Sequence, residues 1–310
     1  MGNLKDIKNR IKSVESTKKI TRAMKMVAAA KVKKAESTVK ASRPFTAELN
    51  SMFKKLLNSV GSYSAQTLRI KSAIDDYPEL LQVRHIKSVG LLAITSNKGL
   101  AGAYNANVVR KTVKKIQEYN EQGIHVHLFI IGQKGISALK RKIENYDCEI
   151  AKTYLNVANN PSGNACLMVV EDLAEYFVDK KIDKIELVTT RFKNMMSYFV
   201  EEWEVLPLKT PEEDHEKLHD NVVDPIMEFE PDMHHILQKI VPMYVTNIIY
   251  QAMLEAQASE LASRMTAMSA ATSNAEKMIT TLSVEYNKSR QAAITQEIVE
   301  VVSGANTQSN

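Results

Sequence analysis

From Met243 to Ser303 the chain contains no glycine and no proline, and within that stretch an apolar or small residue recurs at alternating intervals of four and three. Leu261, Met265, Met268, Thr272, Ala275, Ile279, Leu282, Tyr286, Ser289 and Ala293 form the series, the seam of a left-handed coiled coil. At ~1.5 Å per residue such a helix extends roughly 90 Å, about three small-domain diameters. The rest of a 310-residue chain cannot cover it, so it is expected to protrude and to be surrounded by something else. Thr272, Ala275, Ser289 and Ala293 let another helix approach closely while burying little apolar area, unlike an all-leucine seam. An ordinary dimeric coiled coil satisfies the same spacing.

A second uninterrupted stretch lies between Gly2 and Pro44. Leu4, Ile7, Ile11 and Val14 set the same rhythm, which resumes displaced at Ile20, Met24 and Val27. A change of phase of this kind alters supercoiling without ending a helix. The two terminal helices are expected to wind round each other. Pro242 falls inside the C-terminal pattern and removes a backbone donor, which predicts a kink or boundary near Gln238 to Pro242.

Between the helices the pattern changes. All glycines other than Gly2 and Gly304 lie from Gly61 to Gly163. "SVGLLAIT" (88–95), "HVHLFIIG" (125–132) and "KIELVTT" (184–190) are strand-like, with a weaker run near 148–154 and an alternating one, "SYFVEEWEV", at 197–205. Helical patterns near 104–120 and 164–180 separate them, so the middle reads as a doubly wound, Rossmann-like α/β domain with a mostly parallel sheet. The resulting division is an N-terminal coiled-coil helix (1–60), a variable linker (61–86), the α/β domain (87–206), an acidic connector (207–231) and a C-terminal coiled-coil helix (232–306).

Charge is segregated. Residues 1–40 carry ten Lys and two Arg against three acids, and residues 201–232 carry twelve acids against Lys209 and Lys217. A basic helix calls for nucleic acid, an anionic membrane or an acidic protein surface. Aromatic residues for base stacking are nearly absent from it, and its apolar face is mostly Ala and Met, without the Trp or Phe anchors of a membrane-surface helix. Cys148 and Cys166 are too few for a disulfide framework and read as reduced thiols of a cytosolic protein. No run approaches a membrane span, and "MGNLKD" has Asp6 where a myristoylation site has Ser or Thr.

Motifs that look chemical are weak. "ITSNKGLAGAYN" (94–105) follows a strand, where nucleotide folds keep phosphate loops, yet it lacks G-x-x-x-x-G-K-[ST] and reads as a structural turn. "HEKLH" (215–219) has zinc-protease spacing, but in a stretch so acidic that it reads as a solvated charge run. His125 and His127 share one strand face without Cys or acidic ligands at typical zinc spacing, so packing is the expected role. No catalytic or cofactor-binding constellation emerges.

"IKNRIKSVESTKKITRAMKMVAAAKVKKAE", "SNKGLAGAYN", "SELASRMTAMSAATSNAEKMI" and "YNKSRQAAITQEIVEVVSGA", in that order across nearly the whole chain, resemble the gamma subunit of F-type ATP synthase. The resemblance implies an antiparallel coiled coil of the two terminal helices turning inside three alpha and three beta subunits. It places the α/β domain on epsilon and the membrane c-ring, and it implies no catalysis, cofactor or metal of the chain's own. Nucleic acid and direct membrane insertion are not expected. The implied location is peripheral, on the cytoplasmic face of a bacterial plasma membrane. Nucleic-acid binding or scaffolding by a basic coiled coil is the alternative.

The resemblance also carries residues. Arg290 and Gln291, before A-x-I-T-x-E, match the contact with an acidic catch loop of a beta subunit. Met24 matches a coupling position, expected to face Gln291, Thr295 and Glu297 of the other helix, and Arg264 matches a further coupling position. Lys18, Lys19, Arg22, Lys25 and Lys31 form the basic face toward the acidic collar. Phe229, Glu230, Pro231 and Asp232 resemble the foot on the ring and epsilon. Asn97 stands where Asp is usual and Ala101 where Cys is common. The dithiol insertion of chloroplast members is absent, since residues 191–232 contain no cysteine.

Overall fold

The computed structural model describes residues 4–66, 80, 84–159, 161–207 and 233–308. Along the chain these are α1 (Leu4–Gln66), β1 (Ser88–Ile94), α2 (Tyr104–Glu121), β2 (His125–Ile131), α3 (Gln133–Lys142), β3 (Cys148–Tyr154), α4 (Gly163–Val178), β4 (Lys184–Asn194), β5 (Ser197–Leu206) and α5 (Met233–Gln308). They divide into two compact units, residues 31–263 and residues 1–30 with 264–310.

The larger unit is built on a sheet of order β3-β2-β1-β4-β5. β3, β2, β1 and β4 run parallel, and β5 returns antiparallel along β4. β1 is buried after its first residue because helices cover both its faces, which is why "VGLLAI" is apolar without alternation. The edge strands β3 and β5 are only half buried, which explains their weaker or alternating patterns. On one face Val89, Leu91, Val126 and Leu128 pack with Val108 and Ile116 of α2 and Leu139 of α3. On the other, Leu92, Phe129, Ile131 and Leu187 meet Val169, Leu173 and Phe177 of α4 and a stripe of α5 from Val241 to Ala256. The terminal helix therefore supplies part of the domain's core.

A kink or a boundary was expected near Pro242; α5 runs through the proline, so the boundary does not occur. Val241 and Val245 flank the proline and are fully or almost fully buried, and Thr246 Oγ1 donates to the Pro242 carbonyl at 2.7 Å. Burial of the flanking valines, each worth roughly 1.5–3 kcal/mol, is of the size needed to offset the ~3 kcal/mol penalty of an interior proline. α1 likewise passes through Pro44. α3, absent from the sequence reading, follows Gly132.

In the smaller unit, α5 buries the series read from the sequence: Met268, Ala275 and Leu282 are buried, and Met265, Thr272, Ile279, Tyr286, Ser289 and Ala293 are half-buried. Thr272 Oγ1 donates to Thr21 Oγ1 at 2.9 Å, and Lys18 Nζ lies 3.1 Å from Glu276 Oε1. Rising numbers on one helix thus meet falling numbers on the other, and the pair is antiparallel. The phase change expected in α1 is not present. Ile20 and Val27 are 59% and 57% exposed, whereas Thr21 and Ala28 are buried. The seam keeps step from Ile7 by using small and polar residues where the sequence offers larger apolar ones one position away.

Gly132 closes the turn after β2 at φ +100°, and a Cβ there would lie 2.3 Å from the Thr95 carbonyl oxygen. The backbone conformation and the clash both exclude a side chain. Gly132→Ala is expected to destabilise the protein by about 3 kcal/mol or more, read as a lowered urea midpoint, whereas Gly123→Ala, in open space, costs only its positive-φ strain, about 1 kcal/mol.

Candidate functional site

The chemically richest place in the larger unit is where α1, β4 and α5 meet. The Glu255 side chain on α5 is 1% exposed. Its Oε1 accepts from Arg43 Nε at 2.8 Å and from Gln251 Nε2 at 3.0 Å, and its Oε2 from Arg43 Nη2 at 2.9 Å and the Phe192 backbone N–H at 2.8 Å. Arg43 Nη2 also donates to the Phe192 carbonyl at 2.7 Å. The two-pronged bond with Glu255 pushes the Arg43 guanidinium further above its already high value, so the guanidinium stays charged. Nearby, Ser42 Oγ donates to Gln251 Oε1, Thr46 Oγ1 to Asn247 Oδ1 and Thr189 Oγ1 to the Ala252 carbonyl. One carboxylate thus fastens both long helices to the sheet through directional bonds, beside the apolar contact of Val32, Ala35 and Val39 with Leu254 and Ala258. The sequence reading missed it because Arg43, Phe192 and Glu255 share no motif. Glu255, one of two glutamates in a stretch that is otherwise uncharged, "QAMLEAQASELA", was the available signal.

The smaller unit carries most of the expected contact residues. Lys18 pairs with Glu276, with the lysine one-third exposed and the glutamate more so, an interaction worth ~0–1 kcal/mol. Lys19, Arg22 and Lys25 are exposed, as is Lys31 at the start of the larger unit. Met24 is half-buried but does not face Gln291, Thr295 or Glu297. The register fixed by Thr21 and Thr272 sets it level with Met268 and Ser269, and Gln291 lies roughly 30 Å further along at ~1.5 Å per residue. Arg264 is half-buried. By the same register Leu4 comes level with Ser289, so Arg290, Gln291, Thr295 and Glu297 lie past the described start of α1. All four are exposed, and Thr295 Oγ1 donates to the Gln291 carbonyl at 2.9 Å. Ile294, Ile298, Val299 and Val301 beside them are 47–71% exposed. Phe229, Glu230, Pro231 and Asp232, and the "HEKLH" stretch, lie outside the described residues.

The turn at 94–105 consumes its own polar groups. Thr95 Oγ1 donates to the Ile131 carbonyl at 2.7 Å and accepts from the Gly135 N–H at 2.9 Å, and the Ser96 N–H donates to Asn105 Oδ1 at 3.0 Å. Asn97 accepts from the Gln133 N–H through Oδ1 and donates through Nδ2 to the Leu155 carbonyl. An ionised aspartate could accept the first bond but not make the second. Ser263 on α5 donates to the Ala101 carbonyl, fastening the turn to the helix. Both cysteine thiols are pushed up to about 12, Cys166 by burial and Cys148 by burial with Asp147 and Glu149 adding to it, and neither forms a disulfide.

A sequence model of the ATP synthase family matches residues 3–307. The ATP synthase gamma chain of Synechococcus sp. strain JA-3-3Ab is 40% identical over 98% of this chain and 99% of its own length. The chain belongs to the ATP synthase gamma family. The gamma chain of Gloeobacter violaceus is 38% identical over 99% of this chain and all of its own. Among solved structures, a chain from the central stalk and c-ring of the Tetrahymena thermophila mitochondrial ATP synthase matches with a TM-score of 0.60 and 27% identity, over 81% of this chain and 99% of that one. A chain from the Euglena gracilis enzyme shares the fold at a TM-score of 0.64 and 16% identity, over 98% and 94%.

Removing one partner of the buried pair strands the other. Arg43→Met leaves the Glu255 carboxylate buried with the Phe192 and Gln251 donors alone, and should cost about 3 kcal/mol in equilibrium unfolding. Glu255→Gln keeps the shape and part of the hydrogen bonding and should cost about half as much. A double-mutant cycle on the two positions checks that they are coupled.

Proposed function

We propose that this chain is the central shaft of an F-type ATP synthase. It carries rotation of a membrane c-ring to three alpha and three beta subunits for ATP synthesis or hydrolysis coupled to ion transport. The full-length family match carries this reading. The physics of the molecule agrees with it: an antiparallel helix pair can transmit torque without a catalytic group of its own. Such a shaft acts by differential contact, since only unequal contacts with the beta subunits bias their sites toward different states.

The contact residues follow. Arg290 and Gln291, exposed beyond the start of α1, meet an acidic loop of a beta subunit, where a guanidinium and a carboxylate form a charge-assisted bond worth ~1.5–3 kcal/mol. Thr295 and Glu297 lie on the same exposed end. Lys18, Lys19, Arg22, Lys25 and Lys31 face the acidic collar through weak, solvated pairs that permit sliding. Met24 and Arg264 act within the helix pair. Phe229, Glu230, Pro231 and Asp232 meet the ring and epsilon. The protein is a non-catalytic, peripheral component on the cytoplasmic face of a bacterial plasma membrane. Among the described residues no helix is long and apolar enough to cross one.

Reconstitution with alpha and beta subunits tests the reading, which expects this chain to restore multi-site ATP hydrolysis. Arg290→Ala with Gln291→Ala should lower coupled activity about tenfold, while circular dichroism shows the fold unchanged. Full coupled activity in the double variant would remove the assignment of those contacts, and failure of the wild-type chain to restore hydrolysis would remove the function.

A further inference from the structure

The parallel pairing of β2 with β3 places His127 opposite Glu149. His125, two residues earlier on the same strand face, has Nδ1 2.6 Å from Asp147 Oδ1. The acids that local sequence spacing did not provide arrive from Glu149 on the neighbouring strand β3 and Asp147 just before it. One ligand atom each from His125, His127 and Glu149 lies within 4.8 Å of the others. The two rings stand edge to face, with centroids 4.7 Å apart, and Tyr176 of α4 closes on His127 from the far side at 5.9 Å.

The polar contacts within this group are incomplete. His127 Nδ1 is buried and has no hydrogen-bond partner, although Glu149 Oε1 approaches to 2.7 Å. At His125, Asp147 occupies Nδ1 and leaves Nε2 available, as a carboxylate commonly does for a metal-binding imidazole. Asp147 is itself held by Asn120, which accepts from its backbone N–H at 2.9 Å.

We propose that His125, His127 and Glu149 bind one divalent transition-metal ion of the zinc type at the β2–β3 edge of the sheet, with Asp147 orienting His125. Two imidazoles and one carboxylate select zinc, cobalt or nickel over magnesium or calcium, and leave a fourth tetrahedral position to water. Ligand atoms round a tetrahedral zinc stand about 3.4 Å apart, given bonds of ~2.0–2.1 Å. Glu149, whose side chain is 60% exposed, has the freedom to reach that spacing by rotation, drawing back from His127 while Asp147 keeps His125 in place. The ion would join the edge strand β3 to β2 and stabilise the folded state by mass action.

The test is titration of the full chain with Zn²⁺ by calorimetry and with Co²⁺ by visible absorption. One ion per chain and the ligand-field bands of tetrahedral Co²⁺, displaced by Zn²⁺ and unaffected by excess Mg²⁺, are expected. His125→Ala and Glu149→Gln, both at partly exposed side chains, should each weaken binding at least tenfold with circular dichroism unchanged. His215→Ala with His219→Ala should leave it intact. Absence of the bands, or binding that survives the first two changes or disappears with the last pair, would overturn the proposal.

Discussion

A single buried carboxylate decides how this chain can be built. A charge at Glu255 is tolerable in a packed interior only if every oxygen lone pair is met, and the donors that meet it come from α1, β4 and α5 itself. The bonds are directional, so they fix the rotation of each helix about its axis as well as its position on the sheet. Apolar contacts such as Val39 with Leu254 and Ala258 supply attraction without that angular control. For a protein proposed to carry torque, a joint that resists twisting is the property required.

In the smaller unit the helix pair meets through a seam of mixed side chains, with Ile7, Met268 and Leu282 buried among small and polar residues. Its seam uses Thr21, Ala28, Thr272 and Ala275, and its inter-helix polar contacts include one hydroxyl pair and one exposed ion pair. Small seam residues bring two helices close while leaving their outer faces polar. A surface of this kind is suited to contact with several partners in turn, since each solvated lysine contributes weakly and reversibly. Past the described start of α1, Ile294, Ile298 and Val301 lie exposed on α5 beside Arg290 and Gln291, the mixture of apolar and guanidinium groups typical of protein contact surfaces.

Much of this was legible in the sequence. The α5 seam from Leu261 to Ala293 follows from spacing alone, and the strands follow from their apolar runs, because those signals are local. The phase of α1 was misjudged because hydrophobicity favours Ile20 and Val27, whereas geometry prefers Thr21 and Ala28, small enough for close approach. Pro242 was expected to kink or end a helix because its local cost is visible in sequence, but the burial of Val241 and Val245, which lets the helix continue, is not. The Glu255 joint and the acids beside His125 and His127 depend on pairings between distant segments. Met24 was placed against the wrong part of α5 because register between two long helices is set by contacts such as Thr21 with Thr272, and repeat spacing leaves it free to slip by heptads.

The measurement closest to the central claim is single-molecule rotation in a complex reconstituted from this chain with alpha and beta subunits. Met196, 84% exposed in the β4–β5 turn, can be changed to Cys to carry a bead, because the native thiols are held unreactive by values of about 12. The account predicts stepwise, one-directional turning of the bead when ATP is supplied. Hydrolysis at the full rate with the bead stationary would contradict it.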